Sequence, residues 1–109
     1  MTNIKNLELE KIFDLREKIN YIPNDYSMKL IAQRESAVLA LLSLDKDVII
    51  PEHSTTGEAF ITVLEGEGFF NLNGTEYHLE PSKSIIIPAN MKHSVKALTK
   101  LKFLLNIIK

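Results

Sequence analysis

Pro51-Glu52-His53-Ser54-Thr55-Thr56-Gly57-Glu58-Ala59, running on to Val63-Leu64-Glu65-Gly66-Glu67-Gly68, and Pro81-Ser82-Lys83-Ser84-Ile85-Ile86-Ile87-Pro88-Ala89-Asn90-Met91-Lys92-His93 are the two halves of the stretch whose reading decides the fold. Each starts at a proline, contains a short apolar run and carries one histidine near a proline. Proline removes a backbone donor and fixes φ, so it marks strand ends and rigid turns rather than strand centres. Between the halves, Asn73-Gly74 separates apolar-rich runs at 69–72 and 75–79. Both turn residues tolerate positive φ, which makes this a two-residue hairpin.

Working outward, further strands are expected at 59–64, 84–87, 93–98 and 101–108. Upstream, 28–32, 37–44 and 48–50 complete the set, with Asp45-Lys46-Asp47 as a turn. The segment 37–44 is apolar on both faces, so it is expected to be buried twice, by the barrel on one side and by the N-terminal segment or a partner subunit on the other. Short strands at roughly ten-residue spacing indicate an all-β sandwich or barrel. The first residues are charged and mixed, and Asp14-Leu15-Arg16-Glu17 has the form of a capping box opening a short helix that ends before Pro23. The expected organisation is a helix-containing segment over 1–26 packing on a barrel over 27–109, one domain in all.

Composition narrows the function classes. The 109 residues are 45% hydrophobic and the formal net charge is -1, so no global field draws in nucleic acid or an anionic membrane. Lys92, Lys96, Lys100 and Lys102 share one parity and are read as a solvated face. With no cysteine, any metal would be held by nitrogen and oxygen donors. Met1-Thr2-Asn3-Ile4-Lys5 opens no apolar signal region, and the longest apolar run, 37–42, is far short of the ~20 residues of a membrane span. A cytoplasmic protein with no membrane partner is expected.

The three histidines differ in context. His78 alternates with Glu76 and Glu80 on a polar face and reads as a surface residue. His53 and His93 sit where rigid turns can fix side chains at a barrel mouth. They are either neutral imidazoles hydrogen-bonded to backbone or parts of a metal or ligand site.

The spacing around them resembles the two motifs of the cupin family, G-x5-H-x-H-x3,4-E-x6-G and G-x5-P-x-G-x2-H-x3-N. His53, Gly66, Pro88 and His93 match, whereas Thr55 and Ala59 stand at the second histidine and the glutamate, and Ser82, Asn90 and Ala97 at the two glycines and the asparagine of the second motif. The resemblance covers about 27–108 and includes Val63-Leu64-Glu65-Gly66-Glu67. It implies a double-stranded β-helix, the cupin jelly-roll barrel, here with a short N-terminal helix. It implies a small-molecule ligand in the barrel interior, with a divalent metal (Zn, Fe, Ni, Mn or Cu) on His53 and His93. It also implies a homodimer in which 28–32 crosses to the partner sheet.

The remaining candidate site residues follow from strand parity. Positions 53, 55 and 59 share a face, so Thr55, Ala59 and Ile61 are expected to turn inward and Glu58 outward. A bulge at Gly57 would reverse Glu58 and complete a 2-His-1-carboxylate set. That would make a metal-dependent enzyme of the dioxygenase or isomerase kind, the alternative to a stand-alone binding barrel. Asn106 interrupts an apolar run and is read either as a ligand or water partner inside the barrel or as a solvent-facing edge residue.

Overall fold

The computed structural model describes residues 3–109; Met1 and Thr2, at the head of the expected N-terminal segment and signal-region reading, lie outside the described residues. Among the described residues nine strands follow in order: β1 (Tyr26–Arg34), β2 (Ala37–Leu44), β3 (Ile49–His53), β4 (Glu58–Glu65), β5 (Gly68–Leu72), β6 (Thr75–Leu79), β7 (Ser84–Ile87), β8 (His93–Ala97) and β9 (Leu101–Ile108). They form two antiparallel sheets, β1-β2-β9-β4-β7 and β3-β8-β5-β6, folded as the expected all-β jelly roll.

Alternation explains why these segments are strands. In β4, Ala59, Ile61 and Val63 are buried while Glu58 and Phe60 are exposed, and β5 and β8 repeat the pattern. The inward residues of both sheets meet in one core, where Phe70 and Phe103 contact edge-on with ring centroids 5.4 Å apart. Two turns need glycine. Asn73 (φ 49°) and Gly74 (φ 93°) form the β5–β6 turn, both with the positive φ expected of a type I′ turn. Gly66 has φ 75°, and a Cβ there would stand 1.8 Å from the Lys100 carbonyl oxygen.

The doubly apolar β2 finds its second partner in its own chain. Leu41 and Leu39 point away from the main core and join Ile31, Leu104 and Ile19 in a second cluster, on which Ile4, Leu7 and Leu15 pack. The N-terminal segment therefore lies as a strap across the outer face of the five-stranded sheet.

The helix expected in that strap is a single 3-10 turn, Leu15–Glu17, capped by the Asp14 carboxylate, which accepts from the Arg16 N–H. From this turn on the chain is held along the sheet, whose side chains donate to its carbonyls. Lys102 Nζ donates to Arg16 O, Lys29 Nζ to Lys18 O, and Ser43 Oγ to Asn20 O. Farther along, the Tyr21 hydroxyl donates to Glu65 Oε2 at 2.6 Å, and Lys102 Nζ lies 4.8 Å from the Tyr21 ring centroid. The lysine stripe is corrected accordingly: Lys102 is only 8% exposed and is a strap anchor rather than a solvated residue. Among the described residues no helix is long and apolar enough to cross a membrane.

Candidate ligand cavity

A cavity of about 430 Å³ opens between the sheets at the end where β1 and β3 form their edges. Its floor is apolar. Leu42, Ile61, Phe103 and Leu105 come from the five-stranded sheet, and Ile50 and Val95 face them from the four-stranded one. Tyr26 and Met28, both exposed, flank the opening on β1.

His53 and His93 sit in this wall as cross-strand partners of β3 and β8, with ring centroids 4.2 Å apart and planes inclined at 60°. The pairing depends on a register shift between Ile50 and His53. From Ile50 to His53 the chain takes three steps while β8 takes two, from Val95 to His93. The extra residue falls at Pro51-Glu52, where the proline has no N–H to lose from the ladder. Without the bulge, strand parity would turn His53 away from the face that carries Ile50.

Backbone carbonyls decide the tautomer of both rings. His53 Nδ1 lies 2.9 Å from Pro51 O, and His93 Nδ1 lies 2.9 Å from Met91 O. A carbonyl can only accept, so each Nδ1 carries the proton and each Nε2 of the neutral ring is an acceptor. His93 is 5% exposed, and burial lowers its pKa below the ordinary imidazole value, opposed by the Met91 carbonyl and aided by neighbouring His53. His53 lies at the exposed end of the pair.

The structure brings His53, His93 and Ile61 together around the cavity and leaves the other expected site residues elsewhere. Ala59 is buried in the core, two residues before Ile61 on the same strand and outside the cavity lining. Thr55 shapes the loop: its hydroxyl donates to Gly57 O and its carbonyl accepts from Asn90 N–H. Glu58 keeps the outward parity. Glu58 is exposed, and the β4–β9 register runs unbroken from the Glu58/Ile108 pair to the Val63/Phe103 pair, with a shift only between Val63 and Glu65, so Glu58 and the buried Ala59 stay on opposite faces. Asn106 is corrected too, since β9 is a central strand and Asn106 shares the outer face with Leu104, opposite Leu39 and Phe60. It is neither inside the barrel nor at an edge.

The lining residues not named as site candidates in the sequence are Tyr26, Met28, Leu42, Ile50, Pro51, Glu52, Val95, Phe103 and Leu105. Alternation along β9 marks Phe103 and Leu105 as inward, but nothing local marks Glu52, which reaches the opening because of the bulge. His78 is a surface residue as expected, 3.0 Å from Glu67 Oε2.

The donor set can be tested against the divalent metal implied by the sequence motifs. Stable sites draw on three or four protein ligands. Here the two Nε2 atoms have no companions: among the described residues no group of three His, Cys, Asp or Glu side chains converges. The 2-His-1-carboxylate set is not formed, and the residues present do not fit a tightly held resident ion.

Comparison with known proteins bears on the fold and the family. A conserved protein of unknown function from Streptococcus pyogenes superposes with a TM-score of 0.96 at 28% identity, over 100% of this chain and 96% of that one. A cupin superfamily protein from Desulfitobacterium hafniense gives 0.93 at 21% identity over 98% of both chains. An RmlC-like cupin from Desulfovibrio desulfuricans gives 0.79 at 28% identity, over 90% of this chain and 95% of that one. No curated protein matches the chain. The family model described as cupin domain matches residues 40–107, from within β2 to Ile107 of β9, a span that holds both histidines and every cavity residue except Tyr26 and Met28, and the chain belongs to the cupin family.

Proposed function

We propose that this protein binds a small molecule in the cavity between its two sheets, with the Nε2 atoms of His53 and His93 as the polar contacts. The observation that carries this reading is the imidazole pair itself. Two rings with fixed tautomers are set into an apolar wall, and their acceptor atoms are left unclaimed by the backbone. A few placed polar groups in a largely hydrophobic concavity of this size are what small-ligand sites consist of. Nothing in the donor set supports a step through a bound metal, and the metal-enzyme alternative with Glu58 lacks its carboxylate.

Methyl-labelled NMR with a library of small fragments tests the proposal. Binders are expected to shift the methyls of Ile50, Ile61, Val95 and Leu105 together. Binders whose shifts fall only on the outer faces would count against it.

We also propose that the protein is a homodimer using the first half of β1. Tyr26, Met28 and Ile49 are exposed apolar residues near this edge. The second half of β1 is already engaged, because Asn6 Nδ2 donates to Leu30 O and the Lys5 N–H to Ile31 O. An edge with exposed apolar residues favours a self-complementary two-fold contact. A monomeric mass by light scattering at micromolar concentration would contradict it.

A further inference from the structure

We propose that the cavity selects compact hydrophobic molecules bearing a hydrogen-bond-donating head, an alcohol or an amine, and rejects carboxylates and phosphates. The inference rests on the cavity being the ligand site and adds the chemistry of its occupant. Apart from the Tyr26 phenol at the opening, which can donate or accept, every polar side chain lining the cavity among the described residues is an acceptor or an anion. Each Nδ1–H is committed to a backbone carbonyl, so the two imidazoles offer only Nε2 lone pairs. Among the described residues Glu52 supplies the one formal charge of the lining, and it is negative; no described lysine or arginine lines the cavity. Tyr26, at the opening, carries the one hydroxyl.

An anionic head entering this wall would lose its hydration beside a carboxylate and two lone pairs, with no cation to compensate. A hydroxyl or ammonium head meets the opposite situation. It donates to Nε2, and an ammonium gains the Glu52 carboxylate as well. The body of the molecule then covers the apolar surface of Leu42, Ile61 and Phe103.

The test uses four probes of one shape: benzyl alcohol, benzylamine, benzoate and toluene. Each is titrated at about pH 8, where imidazoles are neutral, with chelator present, and followed through cavity methyl and ¹⁵N-imidazole resonances. Benzyl alcohol and benzylamine are expected to bind at least about tenfold more tightly than toluene or benzoate, the factor one net hydrogen bond supplies. They should also shift the Nε2 resonances of His53 and His93. Glu52→Lys, a change at an exposed position, is expected to remove the preference for benzylamine and raise benzoate binding.

Equal binding of toluene and benzyl alcohol would overturn the head-group inference and leave the binding cavity standing. Tightest binding of benzoate would overturn it by revealing a positive site. Failure of all four probes to move the cavity methyls would remove the ligand-cavity reading on which it rests.

Discussion

His53 and His93 stand opposite each other on β3 and β8 because one extra residue is inserted at Pro51-Glu52. In an unbroken ladder continuing from the Ile50/Val95 pair, Glu52 would oppose His93 and His53 would oppose Lys92. A single bulge thus converts a glutamate-histidine pair into an imidazole pair and moves the carboxylate to the cavity opening. The two rings remain unequal, one buried and one exposed, and the first prediction follows from that difference.

His93→Ala is expected to cost about 1–3 kcal/mol of stability, because it strips the Met91 carbonyl of its partner in a buried site. His53→Ala, at an exposed position, should cost less than about 1 kcal/mol. Urea denaturation of the two variants measures the difference. Both are expected to weaken binding of a hydroxyl-bearing probe, so equal stability losses with unchanged binding would contradict the assignment.

Metal removal should change little. Elemental mass spectrometry is expected to find substoichiometric Zn, Fe, Ni, Mn and Cu after dialysis against a chelator, with the thermal midpoint unchanged. The His53→Ala, His93→Ala double variant serves as the control. Near-stoichiometric metal that survives chelation in the parent and disappears in the double variant would mean that the two imidazoles recruit further ligands from outside the described residues or from a partner subunit.

Leu41→Ala tests the strap. This side chain is fully buried between β2 and the N-terminal segment, so truncation should cost about 2–5 kcal/mol. It should also raise amide exchange in residues 4–20 ahead of the barrel strands. Protection that falls uniformly over both sheets would show that strap and barrel open as one unit.

Alkaline pH should loosen the same contact. The Tyr21 pKa is raised, first by burial and then by its hydrogen bond and proximity to Glu65. The phenol is neutral in the folded state, while the unfolded chain ionises near ~10. The Tyr21 contribution is therefore fully present below about pH 10 and is lost as pH rises through the folded value. Denaturation midpoints at rising pH should fall faster in the parent than in Tyr21→Phe, and parallel curves would show that the hydroxyl has no such role.

Much of the fold was legible because its information is local. The Asn73-Gly74 turn, the doubly apolar β2 and the alternation in β4 each follow from residues close in sequence, and β2, β6, β7 and β9 have the expected bounds. The outward direction of Glu58 was also within reach of simple parity. The N-terminal turn was less legible, since the Asp14 capping signal was real but the carbonyls beyond it were claimed by Lys102, Lys29 and Ser43 from strands distant in sequence. Asn106 and Lys102 were misread for a related reason: a residue on the outer face of a central strand looks like a solvent residue until the strap that covers part of that face is in place.

By itself the sequence determined an all-β sandwich or barrel, which its resemblance to the cupin motifs narrowed to a jelly roll, a hairpin at Asn73-Gly74, two proline-flanked histidines and a motif lacking two of its metal ligands. These rest on periodicity, turn chemistry and residue identity, which act over a few residues. Tertiary structure alone decided that the N-terminal strap, within the chain, covers β2, that a bulge sets His53 opposite His93, and that Glu52 rather than Glu58 reaches the cavity. Those outcomes depend on register between strands far apart in the chain, where a shift of one residue turns a side chain to the other face.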